Sequence, residues 1–244
     1  MDADTTLHPR WFEKALPFLK GKVAAVCGRR KERYPNKNVY HKIAKIEWNY
    51  EEGPCRYFGG EVIIRRDVIE QANGFDEKLV AGEDPDLSCR LSQNGWTIYR
   101  INEDMSTHDL NMNKFSQYIK RAYRTGHAYA EIGLRYSLKT EKLWLKELCR
   151  ILSNTLLPWL IIFSGILLGK AILGMIFAIL IAFRPVWKFP RIKKKNNLTI
   201  KESILYTLHL SLVIYPQFAG ILRYFYKIIS GIPLQNKGLI NIKE

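Results

Sequence analysis

The stretch AGEDPDLSCRLSQNGW, residues 81–96, carries the clearest local instructions in the chain. Asp84 can cap a helix with its side chain, and Pro85 fits the first helical position, where its missing N–H costs nothing. Leu87 and Leu91 fall on one face. Asn94-Gly95 supplies a C-terminal stop, and Trp96 leads into the next strand. Glu83 and Asp84 therefore sit at a helix start, where the macrodipole favours negative charge. A glycine-led carboxylate pair in that position can face a cleft and accept a proton; the plainer reading of Asp84 is a capping residue alone.

Working outward, short apolar runs alternate with helical patterns. Residues 22–27 (KVAAVC), 61–65 and 97–101 read as strands. Residues 9–19, 39–48, 66–72 and 114–134 read as helices, the third ending at Asn73-Gly74. Residues 28–38 (GRRKERYPNKN) read as a basic loop, and 53–60 as a turn-rich loop ending in Gly59-Gly60. The predicted class is α/β.

The 244 residues carry a formal net charge of +15, which calls for an anionic partner. Lys and Arg concentrate in residues 20–45 and 184–201, without a helix-turn-helix, zinc-finger or aromatic RNA-binding pattern, so nucleic acid is not the expected partner. The four cysteines, Cys27, Cys55, Cys89 and Cys149, lie far apart with no Cys-x-x-Cys, which argues against zinc and a disulfide framework and for reduced core thiols. Residues 1–20 show no cationic start followed by an apolar stretch, so no signal peptide is read there.

From about Ile151 the composition turns apolar. Residues 153–183 exceed the ~20 residues of a single membrane span and are interrupted at Gly169-Lys170. A helical hairpin over 153–168 and 171–187 is the expectation; one long tilted helix would bury Lys170 at roughly 2.5–3.5 kcal/mol. A third apolar segment, 204–225, either spans or lies in the interface. Lys139, Lys142, Lys146 and Arg150 precede the hairpin, and Arg184, Lys188, Arg191, Lys193, Lys194, Lys195 and Lys201 follow it, placing both flanks on the cytoplasmic side near anionic lipid. The expected organisation is a catalytic part over 1–150, a transmembrane hairpin over 151–187, a basic cytoplasmic loop over 188–202, a membrane or interfacial helix over 203–226 and a tail over 227–244.

Four landmarks together resemble the family 2 glycosyltransferases, inverting enzymes of the GT-A fold. Asp2-Ala3-Asp4 resembles the metal-binding Asp-x-Asp. Gly59-Gly60-Glu61 with the following strand and Gly74-Phe75-Asp76-Glu77 resembles the acceptor-side loop and its turn. Gly82-Glu83-Asp84 with its helix resembles the Glu-Asp motif. The segment from Gln117 to Gly126, with Arg121 and Arg124, resembles the cationic helix near the diphosphate. The resemblance covers residues 1–135, and the C-terminal apolar segments resemble the anchors of polysaccharide-assembly members.

It implies a partial GT-A domain followed by transmembrane helices. Asp2 and Asp4 would bind Mn²⁺ or Mg²⁺ against the donor diphosphate. His108 would be a further metal or phosphate ligand, or else a polar turn histidine. Asp84 would be the general base, and Glu83 would orient the acceptor. Gly59 and Gly60 would line the acceptor side, and Arg121 and Arg124 would neutralise the leaving diphosphate. The implied partners are a nucleotide-diphosphate sugar, a glycan or lipid-linked acceptor and the plasma (inner) membrane. Family members carry further strands before the Asp-x-Asp, so the expectation is of the metal and acceptor-side half of the domain. The rival expectation is a non-catalytic membrane protein, a remnant or one half of a two-chain assembly.

Overall fold

The computed structural model describes residues 5–139 and 142–234. Two compact units divide them. Residues up to Asn113, with Tyr136–Leu143, build the first, and Lys114–Arg135 with Trp144–Ser230 build the second.

In the first unit, strand β1 (Thr5–Leu7) leads to a short helix α1 (Trp11–Ala15), then β2 (Val23–Glu32) and α2 (Val39–Glu47). Strands β3 (Gly53–Cys55) and β4 (Ile63–Ile64) precede α3 (Arg66–Gln71), α4 (Glu83–Gln93) and the long β5 (Thr97–His108). The sheet runs β1-β5-β2-β4, with β3 also on β5. The pair β2/β5 is parallel, and the others are antiparallel. A parallel pair needs a long crossover, here the chain from α2 to α4. Ala24, Ala25, Val26 and Cys27 of β2 are buried without alternation, as expected of a strand covered on both faces. They pack with Trp11, Phe58, Leu87, Leu91, Ile98, Ile101 and Met105.

Two expectations for this unit change. The basic segment after Cys27 is not all loop: Gly28, Arg29, Arg30, Lys31 and Glu32 extend β2 along β5. Pairing with β5 overrides a local pattern rich in charge. Asp84 is not the N-cap of α4. Gly82 is, with φ +94°, in the left-handed region that glycine enters freely. Asp84 thereby falls two positions inside the cap, and its carboxylate accepts from Gly60 N instead of capping.

The second unit begins with α5 (Phe115–Arg135). Helix α6 (Leu145–Leu167) turns at Gly169-Lys170 into α7 (Ala171–Ala182). The turn falls where the interrupted apolar run predicts it. Gly165 and Gly174 let the two helices approach closely: a Cβ on Gly174 would meet the Ile162 carbonyl oxygen at 3.3 Å. Then come α8 (Arg184–Asn196), α9 (Ile200–Leu212) and α10 (Ile214–Ile229). The basic segment expected as a loop over 188–202 is therefore largely the helix α8, closed by Asn197 at φ +49°. A capping box of Thr199 and Glu202 starts α9. The third apolar segment is longer than expected, a run from Ile200 to Ile229 interrupted only at Val213, near Pro216, whose ring nitrogen cannot donate to the carbonyl four residues back. Helices α5, α6 and α10 share a core of Ala130, Leu148, Ile151, Ile214 and Ile221.

The runs Leu145–Leu167 and Ile200–Ile229 are each long and apolar enough to cross a membrane. Among the cysteines, Cys27 and Cys89 are buried and Cys55 half-buried, whereas Cys149 is exposed rather than a core thiol.

Candidate active site

Helix α4 is anchored before its N-terminus is used. The Asp86 carboxylate, fully buried, accepts from Arg90 Nε at 2.9 Å and from the Tyr136 hydroxyl at 2.8 Å. Arg90 also donates to the carbonyls of Ala72 and Gly74, tying α4 to the turn after α3. On this fixed base the Gly59-Gly60 loop docks. Phe58 N donates to Ser88 Oγ at 3.4 Å, and Gly60 N donates to Asp84 Oδ2 at 2.6 Å. Glu83 is exposed in the first turn of the same helix.

The other side of the loop is held by Arg30 of β2. Its Nη2 donates to the Gly59 carbonyl at 2.7 Å, and its Nε to Glu61 Oε2 at 3.0 Å. Gly60 has φ +79°, and a Cβ there would lie 1.5 Å from Arg30 Nη2, so the guanidinium occupies the space a side chain would need. Arg30 stacks over the Trp48 ring at 5.4 Å.

Glu61 gathers the remaining wall. Its side chain is 2 % exposed. Thr5 Oγ1 donates to Oε1 at 2.9 Å and Ser106 Oγ to Oε2 at 3.0 Å, beside the Arg30 pair. Burial is the largest influence on this carboxyl and pushes its pKa upward. The Arg30 charge and the hydrogen bonds from Thr5, its own backbone and Ser106 together outweigh burial, leaving the pKa below the ordinary carboxylate value.

Thr5 reaches the last member. The antiparallel register sets Thr5 opposite His108, and its Oγ1 lies 2.8 Å from His108 Nδ1. The His108 ring is buried edge-on against Trp48, with centroids 5.3 Å apart. A continuous set of contacts thus runs from Asp84 through Gly60 and Glu61 to Thr5 and His108.

The predicted residues divide accordingly. Asp84, Gly59, Gly60 and His108 are joined by this network, and Glu83 stands at its edge. Asp2 and Asp4 lie outside the described residues; the chain places Asp4 immediately before Thr5. Arg121 and Arg124 are exposed on α5, in the second unit. Sequence reasoning missed Thr5, Arg30, Trp48 and Ser106, and did not single out Glu61. The available signal was a glutamate in an otherwise apolar strand directly after Gly-Gly.

A second group merits comparison. Glu32, His41 and Asp109 each bring a ligand atom within 4.8 Å of the others and could hold a metal ion. Glu32 is already engaged: Oε1 pairs with His41 Nδ1 at 2.7 Å and accepts from Tyr34 N, and Oε2 accepts from Leu110 N. These bonds fasten α2 to the ends of β2 and β5, a structural use of the same side chains.

The first unit thus joins a mixed sheet, a carboxylate in the first turn of α4, a glycine loop docked on it and a histidine on β5 opposite β1. The chain belongs to the glycosyl transferase family group 2, whose family model matches residues 1–218. A search among curated proteins finds no match. Glycosyl transfer is the general activity of the family, and its members often use a divalent metal.

Proposed function

We propose that the chain is an inverting glycosyltransferase that moves a sugar from a nucleotide-diphosphate sugar to a hydroxyl of a glycan or lipid-linked acceptor during cell-surface polysaccharide assembly. The observation that carries this reading is the Asp84 carboxylate, held at 2.6 Å by the Gly60 N–H at the start of α4. One carboxylate oxygen is fixed by that bond, which sets the direction in which the group meets an incoming hydroxyl.

In the reaction the acceptor oxygen bonds to the anomeric carbon from the face opposite the diphosphate. The bond from that carbon to the diphosphate oxygen breaks. The acceptor proton passes to Asp84, which acts as general base. Glu83 and the Gly59-Gly60 loop orient the acceptor, and Arg121 and Arg124 offset the charge of the departing nucleoside diphosphate. Mn²⁺ or Mg²⁺, when bound, would supply further charge compensation at the diphosphate; Asp2, Asp4 and His108 would hold it, the carboxylate oxygens being the donors that suit such ions.

The anchor reading rests on the two candidate spanning runs and on the six Lys and Arg residues of α8, Arg184, Lys188, Arg191, Lys193, Lys194 and Lys195. It places the catalytic part, 1–150, on the cytoplasmic side of the plasma (inner) membrane, with 151–187 and 203–226 as membrane or interfacial segments and 227–244 as a tail.

The test is release of nucleoside diphosphate from a panel of nucleotide sugars by the purified full chain with Mn²⁺. Asp84→Asn should lower turnover by about 10²- to 10⁴-fold at unchanged thermal stability. Activity that survives the substitution sinks the base assignment, and a chain inert toward every donor and acceptor supports the non-catalytic reading.

A further inference from the structure

We infer that Glu61, acting through the Thr5 hydroxyl, is a positioning residue that holds His108 in the tautomer with its proton on Nδ1. Thr5 Oγ1 carries one hydrogen and sits between two partners, Glu61 Oε1 at 2.9 Å and His108 Nδ1 at 2.8 Å. Glu61 faces Arg30 at 2.9 Å and accepts from Ser106, so it is a carboxylate and can only accept. The threonine proton must therefore point at Glu61. That leaves an oxygen lone pair facing His108, and the contact to Nδ1 holds only if the ring donates. In the neutral ring that single N–H is on Nδ1, and Nε2 is then the lone-pair nitrogen.

The arrangement matches a pattern general to metal-binding histidines, in which one ring nitrogen donates to an outer partner and the other faces the ion. Here the outer partner is a hydroxyl whose direction is set by a buried carboxylate, and that carboxylate is itself fixed by β2. The consequence for cation binding rests on the proposed reading of His108 as a ligand; the tautomer of the neutral ring is read from the Thr5 and Glu61 contacts.

The test is nitrogen NMR of the full chain labelled with ¹⁵N only at its five histidines, in detergent micelles without metal. The His108 signals are assigned by their loss in His108→Gln. Wild-type protein and Thr5→Ser should show protonated Nδ1 and a pyridine-like Nε2. Thr5→Val, which deletes the relay but leaves Glu61 with Arg30 and Ser106, should shift the ring toward the Nε2–H form. Glu61→Ala should do the same, because the threonine proton is then able to turn to Nδ1; should that variant unfold, the two Thr5 variants still decide. Wild-type His108 with protonated Nε2, or Thr5→Val with unchanged shifts, overturns the inference. In the same samples Mn²⁺ affinity by calorimetry should fall about 10- to 100-fold in Thr5→Val and be retained in Thr5→Ser. A changed tautomer with unchanged affinity overturns the positioning role. If wild-type protein binds no Mn²⁺, the cation reading falls, while the nitrogen shifts still decide the relay.

Discussion

Gly60→Ala separates two costs that usually arrive together. Alanine at φ +79° incurs the left-handed penalty, about 1–2 kcal/mol. Its Cβ would also sit 1.5 Å from Arg30 Nη2, so the guanidinium must retreat by roughly 2 Å to reach ordinary contact. That movement breaks the bond to the Gly59 carbonyl and pulls the charge from a Glu61 side chain only 2 % exposed. Loss of a partner from a buried ion pair costs about 3–5 kcal/mol, an upper bound here because Arg30 stays attached and can partly re-pair. Two neighbouring glycines calibrate the result. Gly95 also has positive φ (+82°) but open space, so Gly95→Ala reports the backbone penalty alone. Gly59 has open space and no such φ, so Gly59→Ala should be near neutral in stability. Denaturant unfolding of the set should rank Gly59→Ala, Gly95→Ala and Gly60→Ala in increasing loss, with Gly60→Ala exceeding Gly95→Ala by at least about 1 kcal/mol. Equal losses for Gly60→Ala and Gly95→Ala would show that Arg30 gives way freely and that the loop is not held as described. Well below the melting temperature, Gly60→Ala should also slow nucleotide release, because the N–H that fixes Asp84 moves with the loop.

Other perturbations test other parts. Gly126→Ala would put a Cβ 1.9 Å from the Gln217 carbonyl oxygen, so a change that normally gains about 1 kcal/mol in a helix should instead lose about 1–3 kcal/mol by thermal unfolding; a stabilised variant would refute the close crossing of α5 and α10. His127 is held down to about 4 from its ordinary 6.5, first by burial and then by the Arg223 and Lys227 charges, with Glu131 and Tyr224 as its other neighbours. Its pKa is depressed on folding, so its contribution is complete above about pH 6.5 and is lost as pH falls toward 4. His127→Phe should flatten that part of the melting-temperature profile between these values, and an unchanged slope would assign the acid loss elsewhere. Arg30→Met should destabilise by about 3–5 kcal/mol, and Arg30→Met with Glu61→Met by much less, since a matched apolar pair strands no charge; additive losses in the double variant would contradict the pairing.

What could be read from residue order was local. The β2 and β5 runs, the α4 helix with its Asn94-Gly95 stop, and the Gly169-Lys170 turn all have signals within a few residues of the feature. The N-cap of α4 was misplaced because Asp84 is the commoner capping type, while the left-handed backbone of Gly82 leaves no mark beyond a glycine. The extension of β2 through Arg30 was hidden because it depends on hydrogen bonding to β5, far along the chain. The same pairing hides the wall of the site. Thr5, Arg30 and Ser106 converge through the registers of β1 and β2 on β5, and Glu61 joins them just before β4 pairs with β2, so no spacing in the sequence announces them. Helix α8 is hidden because its second half, Arg191–Lys195, is a charge run with no apolar face, and Pro190 stands inside it; Pro185 sits in its first turn, where proline is tolerated.

The position of Trp48 gives the site an optical signal. Its indole touches Arg30 on a face and His108 at an edge, so it borders both the loop clamp and the proposed cation ligand. A paramagnetic ion arriving at His108 would quench an excited indole at that range, whereas diamagnetic Mg²⁺ would alter its emission mainly by moving its neighbours. A variant retaining Trp48 as its sole tryptophan, the other five replaced by phenylalanine, would therefore turn occupancy of the site into a fluorescence titration that requires neither donor sugar nor acceptor.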